Sequence, residues 1–399
     1  MMMNQMQIQL RPHQERAVAA MLEYVKGQII VPTGGGKTLK MIYDALRELQ
    51  SATPQTIVVV APRILLAEQL SSEFLEFITD AEVLHVHSGE THHCSTTKPA
   101  DIVAHAGMCA ASNRHQLIFT TYNSLSRLQV AGIDVDTIYF DEAHNSVQRH
   151  FFPATEHFAA NAKRCYFFTA TRKTSLTPSK PGMNDVDVYG NIICRVSAPE
   201  LVDGGYIIAP KIVAKKFDVL APKQVTAECD SSNLTETLDD IDCKKILVCV
   251  KSAKQLINLM SHTDCAAQLH QRGYSYLYIT SKTGAIIDGK KVNREVFFDT
   301  LNAWGRDPNK KFVCLHRSIL SEGINVSELE AVVFLRNMDV IEMTQTIGRV
   351  LRLGGKEKVW GLCVVPVYSK VGVSTERALQ RVVDAVFEKG EMLDSVVRR

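Results

Sequence analysis

Short apolar runs alternate along the chain with longer segments whose apolar residues recur at helical spacing, the pattern of β-α units around a parallel sheet. In the first half, 28–31, 56–61, 116–120, 137–140 and 164–168 read as strands, and 37–50 and 64–77 as helices. A leading helix over 13–26 starts just after Pro12 and stops at Gly27. Between 171 and 210 the pattern fades into turn-rich sequence that includes Thr177-Pro-Ser-Lys-Pro-Gly182 and Asp203-Gly-Gly205. It then restarts, with strands expected at 245–250, 276–279, 311–316 and 331–335 and helices at 252–271, 291–304 and 343–353. A final amphipathic segment, 374–389, puts Leu379, Val382, Val383, Val386 and Phe387 on one face, a stripe suited to core packing. The expected fold is α/β, two parallel-sheet lobes in tandem, divided as 1–197 and 198–399.

Composition narrows the class. A chain of 399 residues with 46% hydrophobic and 22% charged residues can bury more than one core, which excludes a disordered or collagen-like protein. No apolar run approaches the ~18 residues that span a bilayer, and the first ten residues lack a cationic stretch followed by an apolar one. Neither membrane insertion nor secretion is expected. The 10 cysteines include no Cys-x-x-Cys pair and read as reduced, mostly buried thiols, which fits a cytoplasmic location, the host cytoplasm for a phage-encoded chain. A net charge of +2 gives only a weak overall field, so a nucleic-acid partner must be held by a local cleft.

The strongest chemical signal is Pro32, Thr33, Gly34, Gly35, Gly36, Lys37 and Thr38, which follow an expected strand and open a helix. Glycines let the backbone curl until its N–H groups and the helix N-terminus converge on phosphate oxygens; Lys37 adds a point charge and Thr38 can ligate Mg²⁺. The full phosphate-loop pattern wants Gly at position 31, where this chain has Val. Asp141 and Glu142 stand at the C-terminal end of the apolar run 137–140, where a carboxylate lies beside the phosphate turn of a parallel sheet. There Asp141 can organise the metal and Glu142 can polarise an attacking water. Gln345, Arg349 and Arg352 fall at i, i+4 and i+7, one helix face able to present two guanidinium groups to phosphate.

The Pro-Thr-Gly-Gly-Gly-Lys-Thr turn, Asp141-Glu-Ala-His144, Thr169-Ala-Thr171 and Gln345-Thr-Ile-Gly-Arg-Val-Leu-Arg352 occur in the order and spacing of the superfamily 2 helicases. From about Leu10 to Val365 the chain resembles their two-lobed core, and Leu10-Arg-Pro-His-Gln14 resembles the entry motif of the phage recombination helicases and related repair and restriction motors. The resemblance implies two RecA-like P-loop lobes with ATP and Mg²⁺ between them, Gln14 reading the adenine edge, and Arg349 and Arg352 acting as fingers on the γ-phosphate. It further implies that Arg63, Thr120 and Thr121 touch the nucleic-acid backbone. Gly323, within Ser321-Glu-Gly-Ile-Asn325, belongs to the segment that links nucleotide to nucleic acid, and Thr169 and Thr171 couple the two. The implied activity is an ATP-dependent DNA helicase or translocase, acting on branched DNA or a single-strand/duplex junction beside replication or recombination proteins. An RNA helicase and the motor subunit of a restriction system share these catalytic residues and stay open as alternatives.

Two segments stand outside these motifs. His85, His87, His92, His93, Cys94, His105 and Cys109 crowd a stretch that reads either as a zinc site of no known spacing or, more simply, as a surface insertion with scattered histidines. Asp288-Gly-Lys-Lys-Val-Asn-Arg294 reads as a basic turn entering a helix, either a DNA contact or, more simply, a solvated charged loop.

Overall fold

The computed structural model describes residues 8–89, 91–216, 226–280, 282–317, 328–335, 340–351, 361–367 and 370–397. They form two compact units, one of 8–196 with 394–397 and the other of the described residues from Ser197 to Leu393.

The strands of the first unit are β1 (Lys26–Ile30), β2 (Thr56–Ala61), β3 (Ala81–Val86), β4 (Cys94–Ser95), β5 (His115–Thr121), β6 (Thr137–Phe140), β7 (Arg164–Thr169), β8 (Lys173–Thr174) and β9 (Ile192–Arg195). All but β8 join one parallel sheet in the order β4-β3-β5-β2-β6-β7-β1-β9. Val58, Val60, Ile118, Phe140 and Phe167 are buried on one face, and their sequence neighbours Ile57, Val59, Leu117, Phe119, Tyr139 and Phe168 on the other. A parallel sheet covered on both faces needs unbroken apolar strands rather than alternating ones, which is why these runs could be recognised in the sequence.

β3 was not expected, because Glu82 and His85 interrupt its apolar run. The histidines there correct the picture of a surface insertion. His85 and His87 are buried, their ring nitrogens 3.0 Å apart; His85 also meets the Ser71 hydroxyl at 3.0 Å and stacks on His93. Among the described residues no group of three or more His, Cys, Asp or Glu side chains is placed to hold a metal ion.

Burial, reinforced by His87 and His93, pushes His85 down to about 4 from an ordinary 6.5. A histidine whose folded pKa is depressed stabilises the fold fully above its unfolded pKa, and that contribution fades as pH falls from about 6.5 towards about 4. Melting temperature is therefore expected to drop over this window, by an amount corresponding to on the order of 3 kcal/mol for His85. A His85→Gln variant whose melting shows the same pH slope as wild type would refute this.

The chain's end returns to the first unit. β18 (Ser395–Val396) pairs in parallel with β8, and the Arg172 guanidinium grips the Asp394 carboxylate at 2.8 Å. The division 1–197 and 198–399 assigned this segment to the second lobe; a tail this short carries no hydrophobic periodicity to reveal where it docks.

The second unit contains β10 (Pro210–Lys216), β11 (Lys245–Cys249), β12 (Ser275–Thr280), β13 (Gly284–Ile287), β14 (Lys290–Val292), β15 (Phe312–His316), β16 (Ala331–Phe334) and β17 (Gly361–Val367), in the order β10-β17-β16-β11-β15-β12-β13-β14. Its pairings are parallel except those of β13, which runs antiparallel to both β12 and β14. Asp288 (φ 44°) and Gly289 (φ 79°) form the tight turn between β13 and β14, so the segment expected as a basic turn is a hairpin. The next helix accordingly starts later than expected, at Arg294, capped by the Asn293 side chain accepting the Val296 N–H at 2.7 Å. The single helix expected over 252–271 is two, Ala253–Ser261 and Cys265–Gln271, parted where the Thr263 hydroxyl donates to the Leu259 carbonyl and accepts the Cys265 N–H. The last helix, Lys370–Val382, continues as a π-helical turn, Val383–Glu388, and buries Leu379, Val382, Val383 and Phe387 as the stripe implied. The cysteines are free thiols, buried except for Cys94 and the half-buried Cys243. No helix among the described residues is long and apolar enough to cross a membrane.

Candidate nucleotide-binding site

β1 lies second from one edge of its sheet, between β7 and β9, and Val31 still donates to the Thr169 carbonyl at 2.9 Å, so the turn that follows emerges at the C-terminal ends of the strands. The Gly35 N–H closes the turn on the Pro32 carbonyl at 3.0 Å. Gly34 (φ 89°) and Gly36 (φ 70°) adopt left-handed conformations that L side chains rarely tolerate. A Cβ at Gly36 would also collide with the Gln14 side-chain amide. Gly36 is the N-cap of the helix Lys37–Glu48 and, having no side chain, makes no side-chain cap hydrogen bond. The first turn of a helix lies at the positive end of its dipole, where an anion is stabilised.

Lys37 and Glu142 meet here. The Lys37 Nζ lies 2.8 Å from Glu142 Oε1, and both side chains are mostly shielded from solvent. Glu142 is a non-glycine residue at φ 46°, a strained conformation of the kind that concentrates at functional positions. Asp141, at the end of β6, is buried; its N–H donates to the Val60 carbonyl at 2.9 Å and its carbonyl accepts the buried Tyr122 hydroxyl at 2.8 Å. Burial and the neighbouring Glu142 carboxylate push Asp141 up to about 7, against the opposing pull of Lys37. A buried carboxylate held this high beside a second one is a site whose charge a divalent cation relieves, so the donor set fits Mg²⁺. Thr38, half-buried in the first turn of the helix, supplies the hydroxyl type that such a cation takes.

His144 links this strand end to the next. Its Nδ1 lies 3.1 Å from the Thr169 hydroxyl, which itself donates to the Thr171 carbonyl at 2.8 Å. With the hydroxyl proton so committed, the Nδ1 proton is the one shared between His144 and Thr169.

Of the residues singled out in the sequence, the structure joins Lys37 to Glu142 and sets Gln14 against Gly36. Gln14 is buried, and its Oε1 accepts the Arg11 N–H at 2.9 Å as part of a cap on the leading helix, Pro12–Glu23. Arg63 is exposed and precedes the helix Ile64–Leu75. Thr120 and Thr121 end β5 and are buried; the Thr120 hydroxyl donates to the Val86 carbonyl at 2.9 Å. Gln345 is half-buried on the helix Val340–Val350, which also carries the Arg349 backbone; the Arg349 side chain, Arg352 and Gly323 lie outside the described residues. Sequence reading missed Lys40, His13 and Tyr122. Lys40 stands one helical turn before Asp44 on the helix Lys37–Glu48, and that spacing alone does not mark it as a partner of the glycine turn.

Comparison with known proteins bears on this geometry. Residues 7–174 match the ResIII family model, type III restriction enzyme, res subunit. The matched stretch contains the glycine turn, Asp141, Glu142, His144 and Thr169. The whole chain is similar in structure to the DNA-bound type ISP restriction-modification enzyme LlaBIII, with a TM-score of 0.75 and 16% identity over 98% of this chain and 31% of that one. It is similar as well to S. cerevisiae Dbp5 bound to RNA and ADP BeF3, with a TM-score of 0.60 and 16% identity over 96% of this chain and 89% of that one. The Pyrococcus furiosus Hef helicase domain gives a TM-score of 0.56 and 14% identity over 94% of this chain and 99% of that one. The chain spans about a third of the length of LlaBIII and of the related LlaGI. No curated protein sequence matches it. The α/β architecture of two RecA-like parallel-sheet units, expected from the sequence, is the one observed.

Proposed function

We propose that the protein is an ATP-dependent nucleic-acid motor that couples MgATP hydrolysis to movement along DNA. The observation that carries the reading is the Lys37–Glu142 pair, held at 2.8 Å beside a glycine-capped helix N-terminus and the buried Asp141. A triphosphate entering the glycine turn offers Lys37 a more highly charged partner than Glu142. Once Lys37 turns to the phosphates, Glu142 is freed to accept a proton from water; Asp141 and Thr38 are the residues that would hold the metal. Mg²⁺, when bound, neutralises charge on the phosphate oxygens. Gln345, Arg349 and Arg352 are assigned to the same triphosphate by their motif, and Arg63 to the nucleic-acid backbone.

A motor within a longer restriction-type assembly is the second reading. The ResIII match and the likeness to LlaBIII and LlaGI, each about three times the length of this chain, favour it. An RNA-directed motor is favoured by the likeness to Dbp5 alone.

The test is MgATP hydrolysis measured with single-stranded DNA, duplex DNA, branched DNA and RNA as activators. Stimulation by DNA over RNA is expected; stimulation by RNA alone would transfer the assignment, and an absence of any ATPase would end it. Because phosphate contacts dominate such binding, the stimulating nucleic acid's affinity is expected to fall by roughly 10³-fold or more between about 50 and 200 mM salt. A flat salt profile would point to a different partner.

A further inference from the structure

Lys40 is a fully buried lysine on the fourth residue of the helix Lys37–Glu48, beside Met41, Ile42 and Ala45. Its ammonium does not reach solvent. It donates instead to the Gly35 carbonyl at 2.7 Å and the Gly36 carbonyl at 3.3 Å, while the buried His13 ring meets the same Gly35 carbonyl at 3.1 Å. An ammonium under an apolar helix face is unfavourable unless its hydrogen bonds compensate, and here two of them fall on the glycine turn.

The geometry of the peptide unit says what those bonds do. In a trans peptide the C=O and the following N–H point in opposite directions, and no peptide bond in this chain is cis. The Gly36 carbonyl, as that of the helix N-cap, is already turned along the helix by the first intrahelical bond; drawing the Gly35 carbonyl to Lys40 therefore turns the Gly36 N–H the opposite way. Because glycine turns can rotate these planes freely, the sequence of the turn alone does not fix which way they face.

We propose that Lys40 is a positioning residue of the nucleotide site, holding the Gly35 carbonyl back so that the turn presents an N–H donor rather than an acceptor to the triphosphate. Lys40 itself touches no phosphate. The inference rests on the proposed ATP-binding role of the turn and adds to it a residue that acts through the backbone.

The test uses full-length Lys40→Met, Lys40→Arg and Lys37→Ala proteins, with ATP affinity, kcat, KM and nucleotide-free melting temperature measured for each. Lys40→Met keeps the side chain's reach and removes its donors. ATP affinity is expected to fall by about tenfold or more, as loss of charge-assisted hydrogen bonds implies. The loss is expected in KM more than in kcat, and the nucleotide-free melting temperature is expected to stay level or rise, because a buried charge has been removed. Lys40→Arg, which restores donors, is expected to recover part of the affinity. Wild-type affinity in Lys40→Met overturns the inference, and so do melting temperatures that fall in both Lys40 variants in step with affinity, as for an ordinary core residue. If wild-type protein binds ATP and Lys37→Ala does not, the site stands and only Lys40 is being judged. If wild-type protein binds no ATP, the reading of the turn fails and this inference with it.

Discussion

Glu142→Gln is expected to reduce ATP turnover by about 10³-fold or more while leaving ATP bound, because it removes a proton acceptor without removing a phosphate contact. The substitution is close to isosteric, so the left-handed backbone at φ 46° and the packing around Asp141 persist. Its consequence for Lys37 sharpens the expectation. Glu142 neutralises Lys37 at 2.8 Å; with Gln in place that ion pair is gone and the ammonium is freer to meet the triphosphate. ATP affinity is therefore expected to hold or rise as kcat falls. Single-turnover hydrolysis and equilibrium binding of ATP read the two effects separately. Turnover near wild type would show that Glu142 is not the base; equal losses of binding and turnover would show that it holds the site together instead.

Much of this site was legible because its chemistry is local in sequence. The glycine turn, the Lys37 that follows it and the carboxylates Asp141 and Glu142 each sit at the junction of a strand with the next segment, where a doubly covered parallel sheet leaves long apolar runs that reveal the strand ends. What escaped reading depends on neighbours remote in sequence. β3 hides because His85 is polar yet buried, satisfied by Ser71 and His87. β10 and β17 pair over a long separation, and Pro366 in β17 argues against a strand until the pairing is known. The β13–β14 hairpin is different, for Asp288-Gly289 between short alternating runs is a turn signal that could have been used.

Asp44 gives the largest expected loss of stability in the first unit. It lies one helical turn beyond Lys40 on the helix Lys37–Glu48 and is fully buried. Its carboxylate accepts Arg164 Nη2 at 2.9 Å and Nη1 at 3.1 Å, Arg47 at 2.9 Å and the buried Tyr139 hydroxyl at 2.7 Å. Tyr139 belongs to β6 and Arg164 to β7, so this one side chain fastens the helix of the glycine turn to the two strands whose ends carry Asp141 and Thr169. Asp44→Ala leaves the Tyr139 hydroxyl without this acceptor and deprives the largely buried Arg164 of a carboxylate, although Glu48 still meets Arg164 at 2.8 Å. Removing one partner from a buried ion pair costs about 3–5 kcal/mol, because the charge left behind is uncompensated. For a unit of this size that corresponds to a fall in melting temperature of roughly 10 °C. Asp44→Asn keeps an acceptor for Tyr139 and one arm of Arg164 and is expected to lose less. Because the helix also carries Lys37, ATP affinity is expected to weaken in the Ala variant even at temperatures where it stays folded. A melting temperature within 2–3 °C of wild type, a loss of only about 1 kcal/mol, would show that Glu48 and water replace the carboxylate and that the helix is anchored mainly by Met41, Ile42 and Ala45.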